Sequence, residues 1–418
     1  MMRRSLLACG IATLLAFVTT GLLGTLRLAH GQTPVELELA TWWWAVPTRG
    51  DALRKITAAF SVEYPQVKIK EFSIPYPRFE ETLMVRLAAG NAPDVVTASD
   101  TMFFSFMTRE HLAPLDTMVN LARLKNEFLP AQRIGEVSGR TYGVLVDYVS
   151  YALLINKRLF REAGIAQPPR TPEEFLSVAK RLTRAPDQFG YGVRHTMDQE
   201  AGWWYEASFW VIGFGGRWAV DGKPAVNSAP VVAAVRFLKE MYDAGIFPKG
   251  VDSATYRRMF YHEKVAMLTD NQNHIVISRT QNPAIEVEAV PPPFKQPVTH
   301  VESVFLTIPK AARHPKEAAA FLEFFQRHLK DYGLAARNIV NSKSANEAIF
   351  KEAPHLRTFV ELPVVPDAIL PAGFETRLPE FRNIVLKHVS NVLVRNLDPK
   401  AEMDAAQAEL EEKVVKKP

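Results

Sequence analysis

Between Val35 and Ala98 the hydrophobic period switches from two residues to 3.6 and back, twice over, and no other feature of the chain constrains its fold as tightly. Val35, Leu37 and Leu39 alternate with Glu36 and Glu38, which predicts a strand over 35–41. Residues 51–64 are predicted helical, with Leu53, Ile56, Ala59 and Phe60 on one face and Pro65 as the stop. A second strand begins at Val67-Lys68-Ile69 and ends near Ile74. A helix over 78–89 then turns Phe79, Leu83, Met84 and Leu87 inward and closes at Gly90. The apolar run 93–98 reads as a buried third strand. Strand, helix, strand, helix, strand implies a parallel sheet with right-handed crossovers, hence an α/β fold.

The same grammar returns further along. Residues 142–146 and 151–156 read as strands, and Thr171-Pro172-Glu173-Glu174 as a helix start in which Glu174 reaches back to the cap amide. A helix runs from Asn227-Ser228 to Gly245, strands are expected at 265–269, 285–290 and 303–308, and a helix at 315–329. Pro291-Pro292-Pro293 forms a stiff connector, and the last hundred residues read as helical, ending in an amphipathic helix over 401–415. Two sheets are expected in all. A length of 418 residues suits two domains.

The N-terminus sets the compartment. Arg3 and Arg4 precede an uncharged stretch from Ser5 to Leu26, and Ala29-His30-Gly31 supplies small residues at the −3 and −1 positions. Residues 1–31 are therefore expected to be a secretory signal peptide cut before Gln32, giving a periplasmic protein, with an uncleaved membrane anchor as the alternative. Leu6-Leu7-Ala8-Cys9-Gly10 matches a lipoprotein box, but four residues from Arg4 to Cys9 leave no apolar core ahead of the cysteine, so the match is read as coincidental. Without residues 1–31 the formal charge drops from +5 to +2 and no cysteine remains. A near-neutral, thiol-free chain has no disulfide framework or cysteine zinc site and no clustered basic surface, so nucleic acid is not expected as a partner.

Catalytic signatures are missing. The chain contains no Gly-x-Ser-x-Gly, phosphate loop or His-Glu-x-x-His, and Gly213-Phe214-Gly215-Gly216 lacks dinucleotide spacing and reads as a loop. No metal and no cofactor is expected. Carboxylates such as Asp94 and Asp100 could serve acid–base chemistry in principle, but caps and surface roles are commoner.

Aromatic side chains stand instead where strands should end. Trp42, Trp43 and Trp44 follow the first strand, Tyr76 the second, and Ser99 with Asp100 the third. In open parallel sheets ligands bind beyond the carboxyl ends of the strands, so these groups should share one rim. Flat rings suit the apolar faces of sugars, and carboxylates and amides suit their hydroxyls. Neighbours on an extended chain point opposite ways, so at least one of the three tryptophans should face the core. Trp203, Trp204 and Trp210 line either the same cleft or the core of a helical lobe, and Ser99 and Asp100 are either ligand groups or a helix cap. Asp270 and Asn271, after the 265–269 strand, carry the same two readings.

Residues 86–96, Arg-Leu-Ala-Ala-Gly-Asn-Ala-Pro-Asp-Val-Val, closely resemble a hallmark of the family 1 extracellular solute-binding proteins of ABC importers, the maltose-binding-protein-like group. Tyr142-Gly143-Val144, Leu153–Phe160, Glu162-Ala163-Gly164 and Pro168–Phe175 extend the resemblance, with later echoes at 265–267, 308–310 and 314–318. One departure stands out: His300-Val301-Glu302 replaces the usual pair of glycines before the 303–308 strand.

The resemblance implies a two-lobed, type II-like periplasmic-binding-protein fold whose sheets are joined by hinge crossings near 146–150, 289–295 and 340–346. It implies an N-terminal lobe of 32–147 plus 292–342 and a C-terminal lobe of 148–291 plus 343–418. It further implies a monomeric, non-enzymatic protein that traps a small solute between the lobes and hands it to permease subunits. The rim would supply Trp42, Trp43, Trp44, Tyr76 and Asp100; the second lobe and hinges would supply Tyr148, Trp203, Trp204, Asp270 and Asn271, with Glu302, Phe374 and Arg377 behind them. Aromatic density favours a carbohydrate, either a simple sugar or an oligosaccharide. An anionic glycerophosphate-like solute is the second binding reading, and a secreted glycosidase or a purely structural exported domain are the readings from other classes.

Overall fold

The computed structural model describes residues 34–122, 126–365 and 368–416; the expected signal peptide, with Cys9, lies outside the described residues. In chain order the principal elements are β1 Val35–Thr41, α1 Pro47–Glu63, β2 Val67–Ser73, α2 Tyr76–Ala88, β3 Val95–Ser99, α3 Asp100–Thr108, β4 Gly143–Asn156, α4 Lys157–Glu162, α5 Pro172–Leu182, α6 Glu200–Gly213, α7 Ala229–Asp243, α8 Ser253–Tyr261, β5 Met267–Asn271, α9 Asn273–Gln281, β6 Val287–Val290 and β7 Val301–Thr307. Helices α10 Pro315–Arg327, α11 Leu329–Ala336, α12 Lys343–Glu352, α13 Arg357–Glu361, α14 Leu378–Arg395 and α15 Pro399–Leu410 complete the chain.

Strands β1, β2 and β3 are parallel, as the alternating pattern predicts, with β1 between the other two. Strand β7 then runs antiparallel between β3 and the first half of β4. The second half of β4 pairs on one side with β5 and on the other with β6, both antiparallel. The two expected sheets therefore share a strand. Residues 142–146 and 151–156 are not separate strands, because β4 runs unbroken for 14 residues, all buried. Burial on both faces removes the polar alternation that would have revealed its continuity.

Each wing of this sheet carries its own helices. In the first wing α1 packs on α11 and α10. Phe60 of α1 sits edge-on between Phe321 and Phe324 at 5.2 and 5.3 Å, contacts worth about 0.5–1.5 kcal/mol each beyond the area they bury. In the second wing α14 packs across α6, α7 and α15. Helix α6 is largely buried and mostly apolar, with Trp203, Trp204, Phe209 and Trp210 all inside and the buried Glu206 matched by Arg194.

Within the described residues the chain passes between the wings three times. The first passage is β4 itself, whose residues 146–148 also bond to Ile339 and Asn341. The second follows β6 through the prolines to β7. The third differs from expectation. Helix α12 stays with the first wing, packed on α11, while Lys343 and Ser344 donate backbone N–H groups to Glu127. The chain departs only along 362–365, where Thr299 and Val365 donate backbone N–H groups to Pro363 and Thr299 at 2.9 and 2.8 Å.

Candidate functional site

Thr41 ends β1 and caps the turn beyond it, its hydroxyl accepting from the Trp43 amide at 3.0 Å. Trp42–Ala45 is thereby wound into a turn of 3₁₀ helix rather than extended chain. Three residues per turn fan successive side chains about 120° apart, so the three tryptophans take three directions. Trp42 faces the gap between the wings, edge-on to Tyr76 at 5.1 Å and Phe79 at 4.9 Å. Trp43 is 0% exposed and lies 5.7 Å from Tyr332 of α11. Trp44 donates its indole N–H to Leu39 at 3.1 Å, with Arg54 over its ring.

The gap is a cavity of about 220 Å³. Trp42, Arg49, Tyr76, Glu302 and Val304 come from the first wing; Arg194, Tyr205, Arg257, Asn271, Asn273 and His274 come from the second. Val149 and Tyr151 of β4 form its back. The carboxyl ends of β1 and β2 reach this rim as the parallel topology requires, and antiparallel β7 brings Glu302 to it at its start. A larger concavity of about 600 Å³ lies elsewhere, between Asn120, Leu121, Glu127 and Phe128 on one side and α10–α12 on the other, away from every strand end that carries the aromatic residues.

Each guanidinium in the cleft already has a carboxylate. Arg49 pairs with Asp147 at 2.9 Å. Arg194 pairs with Glu206, which also accepts from Tyr256 at 2.7 Å. Arg257 grips Asp270 with two bonds, 2.8 and 3.1 Å. Burial pushes the Asp270 carboxyl up, but Arg257 and then His274 outweigh it and leave the group below the ordinary Asp range. His274 is pushed down to about 3 by burial and by Arg257, so it carries no charge at neutral pH. His300 lies behind Tyr151 at 4.5 Å, fully buried with neither ring nitrogen bonded, and burial alone pushes it down to about 3.

Asp100 sits beneath the floor. Its Oδ1 accepts from the Thr101 amide at 2.8 Å and from the Tyr205 hydroxyl at 3.1 Å, and its Oδ2 from the Ser303 amide at 3.1 Å. The Tyr205 bond joins the two wings, as do Arg49 to Asn273 at 3.5 Å and the Thr108 hydroxyl to Thr376 at 3.1 Å. Burial, and then the nearby Glu302 charge, push Asp100 up to about 8. Glu302 accepts from the Tyr76 hydroxyl at 3.4 Å, and burial raises it from the ordinary Glu value.

Several expected cleft residues are placed elsewhere, each for a physical reason. Trp43 and Trp44 turn into the first wing's core. Tyr148 points away because neighbours on a strand alternate, and Val149 and Tyr151 hold the cleft side; it lines a separate apolar cavity with Leu129, Ile134, Val301 and Val364. Ala201, Gly202 and Tyr205 occupy the cleft face of α6, which leaves Trp203 and Trp204 inside the second wing. There Trp204 stacks on Trp218 at 4.7 Å and donates to Ile369 at 2.8 Å. Phe374 is buried against Phe381 at 5.3 Å, and Arg377 ties Lys413, Val414 and Glu380 together. Asp270 holds Arg257 rather than lining the cavity, and Asp94 accepts from the amides of Glu38, Arg313 and His314 as a structural cap.

Trp42, Tyr76, Asn271 and Glu302 do meet in the cavity, with Asp100 under them. Sequence reasoning missed Arg49, Arg194, Tyr151, Tyr205, Arg257, Asn273 and His274. Tyr205 lay within an aromatic run already singled out; the arginines sit in no motif. Among the described residues no group of three or more His, Cys, Asp or Glu is placed to hold a metal ion, and no helix is long and apolar enough to cross a membrane.

Two α/β wings hinged on a shared strand, with a polar, aromatic cleft between them, form the two-lobed fold of periplasmic binding proteins. Solved structures with that fold superpose over nearly the whole chain. The α-D-tagatose-bound solute-binding protein of Thermotoga lettingae TMO gives a TM-score of 0.78 at 18% identity, over 91% of this chain and 99% of that one. UgpB of Mycobacterium tuberculosis, in complex with glycerophosphocholine, gives 0.77 at 17%, over 91% and 98%. Residues 44–328 match the bacterial extracellular solute-binding proteins, and the chain belongs to that family. A binding protein of Brucella abortus (strain 2308) is 24% identical over 251 residues, 59% of this chain. The chain thus spans about 60% of the length of the curated relatives it matches first.

Proposed function

We propose that this chain is the substrate-binding component of an ABC importer, exported through its N-terminal segment, which captures a sugar and delivers it to a membrane permease. The solute bridges the two lobes and favours the closed form through contacts it makes only there. The lobes are 32–147 with 292–342 and 148–291 with 343–418, except that α12 rides on the first. One protomer carries a complete cleft, which supports a monomer. The mechanism is binding: Asp100 lies beneath the cleft floor and accepts three protein donors, which supports a structural role for it rather than a catalytic one.

The pairing of all three cleft arginines with carboxylates carries this reading. An anion would meet guanidiniums whose charge is already offset, and it would meet Glu302 as well. Hydroxyl groups find Asn271, Asn273, Tyr76 and Tyr151, and Trp42 offers a ring for a sugar face. A cavity of about 220 Å³ falls below the ~300–1,000 Å³ typical of drug-sized ligands and suits about one ring rather than a long oligosaccharide. The tagatose-bound relative is consistent with that size. Titrating the full chain calorimetrically with hexoses, disaccharides, glycerol phosphate and glycerophosphocholine tests it. Micromolar binding of a sugar is expected; binding of the phosphate esters alone, falling steeply with salt, overturns it.

A further inference from the structure

Glu302 is the cleft's unmatched charge. Among the described residues lining the cavity the cations are Arg49, Arg194 and Arg257, and each is ion-paired to a carboxylate other than Glu302. Among those residues Glu302 has no ion-pair partner and one neutral donor, the Tyr76 hydroxyl at 3.4 Å. His274 and His300 are uncharged at neutral pH, and Asp100 is satisfied by three donors beneath the floor. Glu302 thus lacks an ion pair of its own, ringed by Trp42, Tyr76, Tyr151 and Tyr205, with Arg49, Arg194 and Arg257 acting on it only from beyond ion-pair distance.

A partly buried carboxylate is costly unless a cation or several donors satisfy it. A carboxylate beside aromatic faces is the chemistry that recognises an ammonium group, by a charge-assisted hydrogen bond on one side and cation–π attraction on the other. The small volume leaves room for little beyond a single ring that bears the amine. Resting on the sugar-binding reading, we propose that the solute is an amino sugar of about monosaccharide size, whose protonated amine is read by Glu302 against the Trp42–Tyr76 wall. Glu302 is then the residue that sets specificity, selecting the amine over the matching hydroxyl.

The test pairs each amino sugar with its parent hexose and its N-acetyl derivative, using glucosamine, galactosamine and mannosamine on the full chain by calorimetry at pH 6.5. At least one amine is expected to bind tenfold or more tighter than both of its neutral counterparts. In Glu302→Gln, which keeps the shape and the Tyr76 contact, that ratio is expected to fall within threefold, with Glu302→Ala giving the same result if Gln disturbs the melting temperature. Hexoses binding as tightly as their amines overturn the inference and leave the sugar reading standing. So does a ratio unchanged in Glu302→Gln, or loss of both ligands alike. Binding of glycerophosphocholine with no sugar bound overturns both.

Discussion

Trp42, Trp43 and Trp44 show how much one local turn decides. A strand would have alternated them; the 3₁₀ turn capped by Thr41 fans them, sending one to the cleft and two to the core. Trp42→Ala should therefore weaken ligand binding tenfold or more, read by calorimetry, in addition to the stability it costs as a buried ring. Trp43→Ala should instead cost about 3–5 kcal/mol of stability, the range for large aromatic truncations, read by denaturant unfolding. Asp100 makes a different prediction. Its folded value of about 8 stands above the ordinary 3.8, so the native state keeps a proton that the unfolded chain has lost. That contribution is complete below the ordinary value and disappears as pH rises through about 8. Melting temperature should fall from pH 5 to pH 8.5, and Asp100→Asn should flatten the fall. Glu302, Asp147 and Glu206 are raised too, by burial first, so some slope should remain.

At the scale of elements, the hinge is held by a side chain in no recognisable motif. Gln272, just past β5, donates to the Tyr148 carbonyl at 2.7 Å and to Asn338 at 2.9 Å, and accepts from the Ser150 amide at 3.1 Å. These bonds fall where β4 exchanges one set of partners for another. Gln272→Ala strands buried backbone groups and should cost about 1–3 kcal/mol, with faster amide exchange at Ser150 as the local readout. Elements with a half-buried period were legible: β1, β2, α2, α5 and α10 all lie within a few residues of their predicted positions. Thr171 caps α5 as expected, through the Glu174 amide, although the Glu174 carboxylate bonds to the Arg170 amide rather than that of Thr171. The features that escaped were nonlocal. The continuity of β4, the late third passage and the arginines of the cleft depend on partners 12 to more than 100 residues away, which no periodicity records.

For the whole molecule, the closure proposed above is the property to test. The Tyr205 hydroxyl on Asp100 is a strut between the lobes made by the protein's own side chains. Tyr205→Phe removes it while keeping the ring, so the closed population of the free protein should fall. By small-angle scattering the free variant should show a larger radius of gyration than the parent, and saturating solute should restore the compact value. The apparent affinity should drop by the fraction of closed protein lost, several-fold for a bond of about 1 kcal/mol.

The shared strand has one more consequence. Because Gly143–Asn156 contributes ladder bonds to both lobes, no cut between them leaves two finished sheets: one half keeps β7, and the other β5 and β6, with an unpaired edge. Such raw edges template pairing with other chains. The lobes should therefore clump when produced as separate polypeptides, and a lineage that inherited this architecture could duplicate or lose it only as a unit.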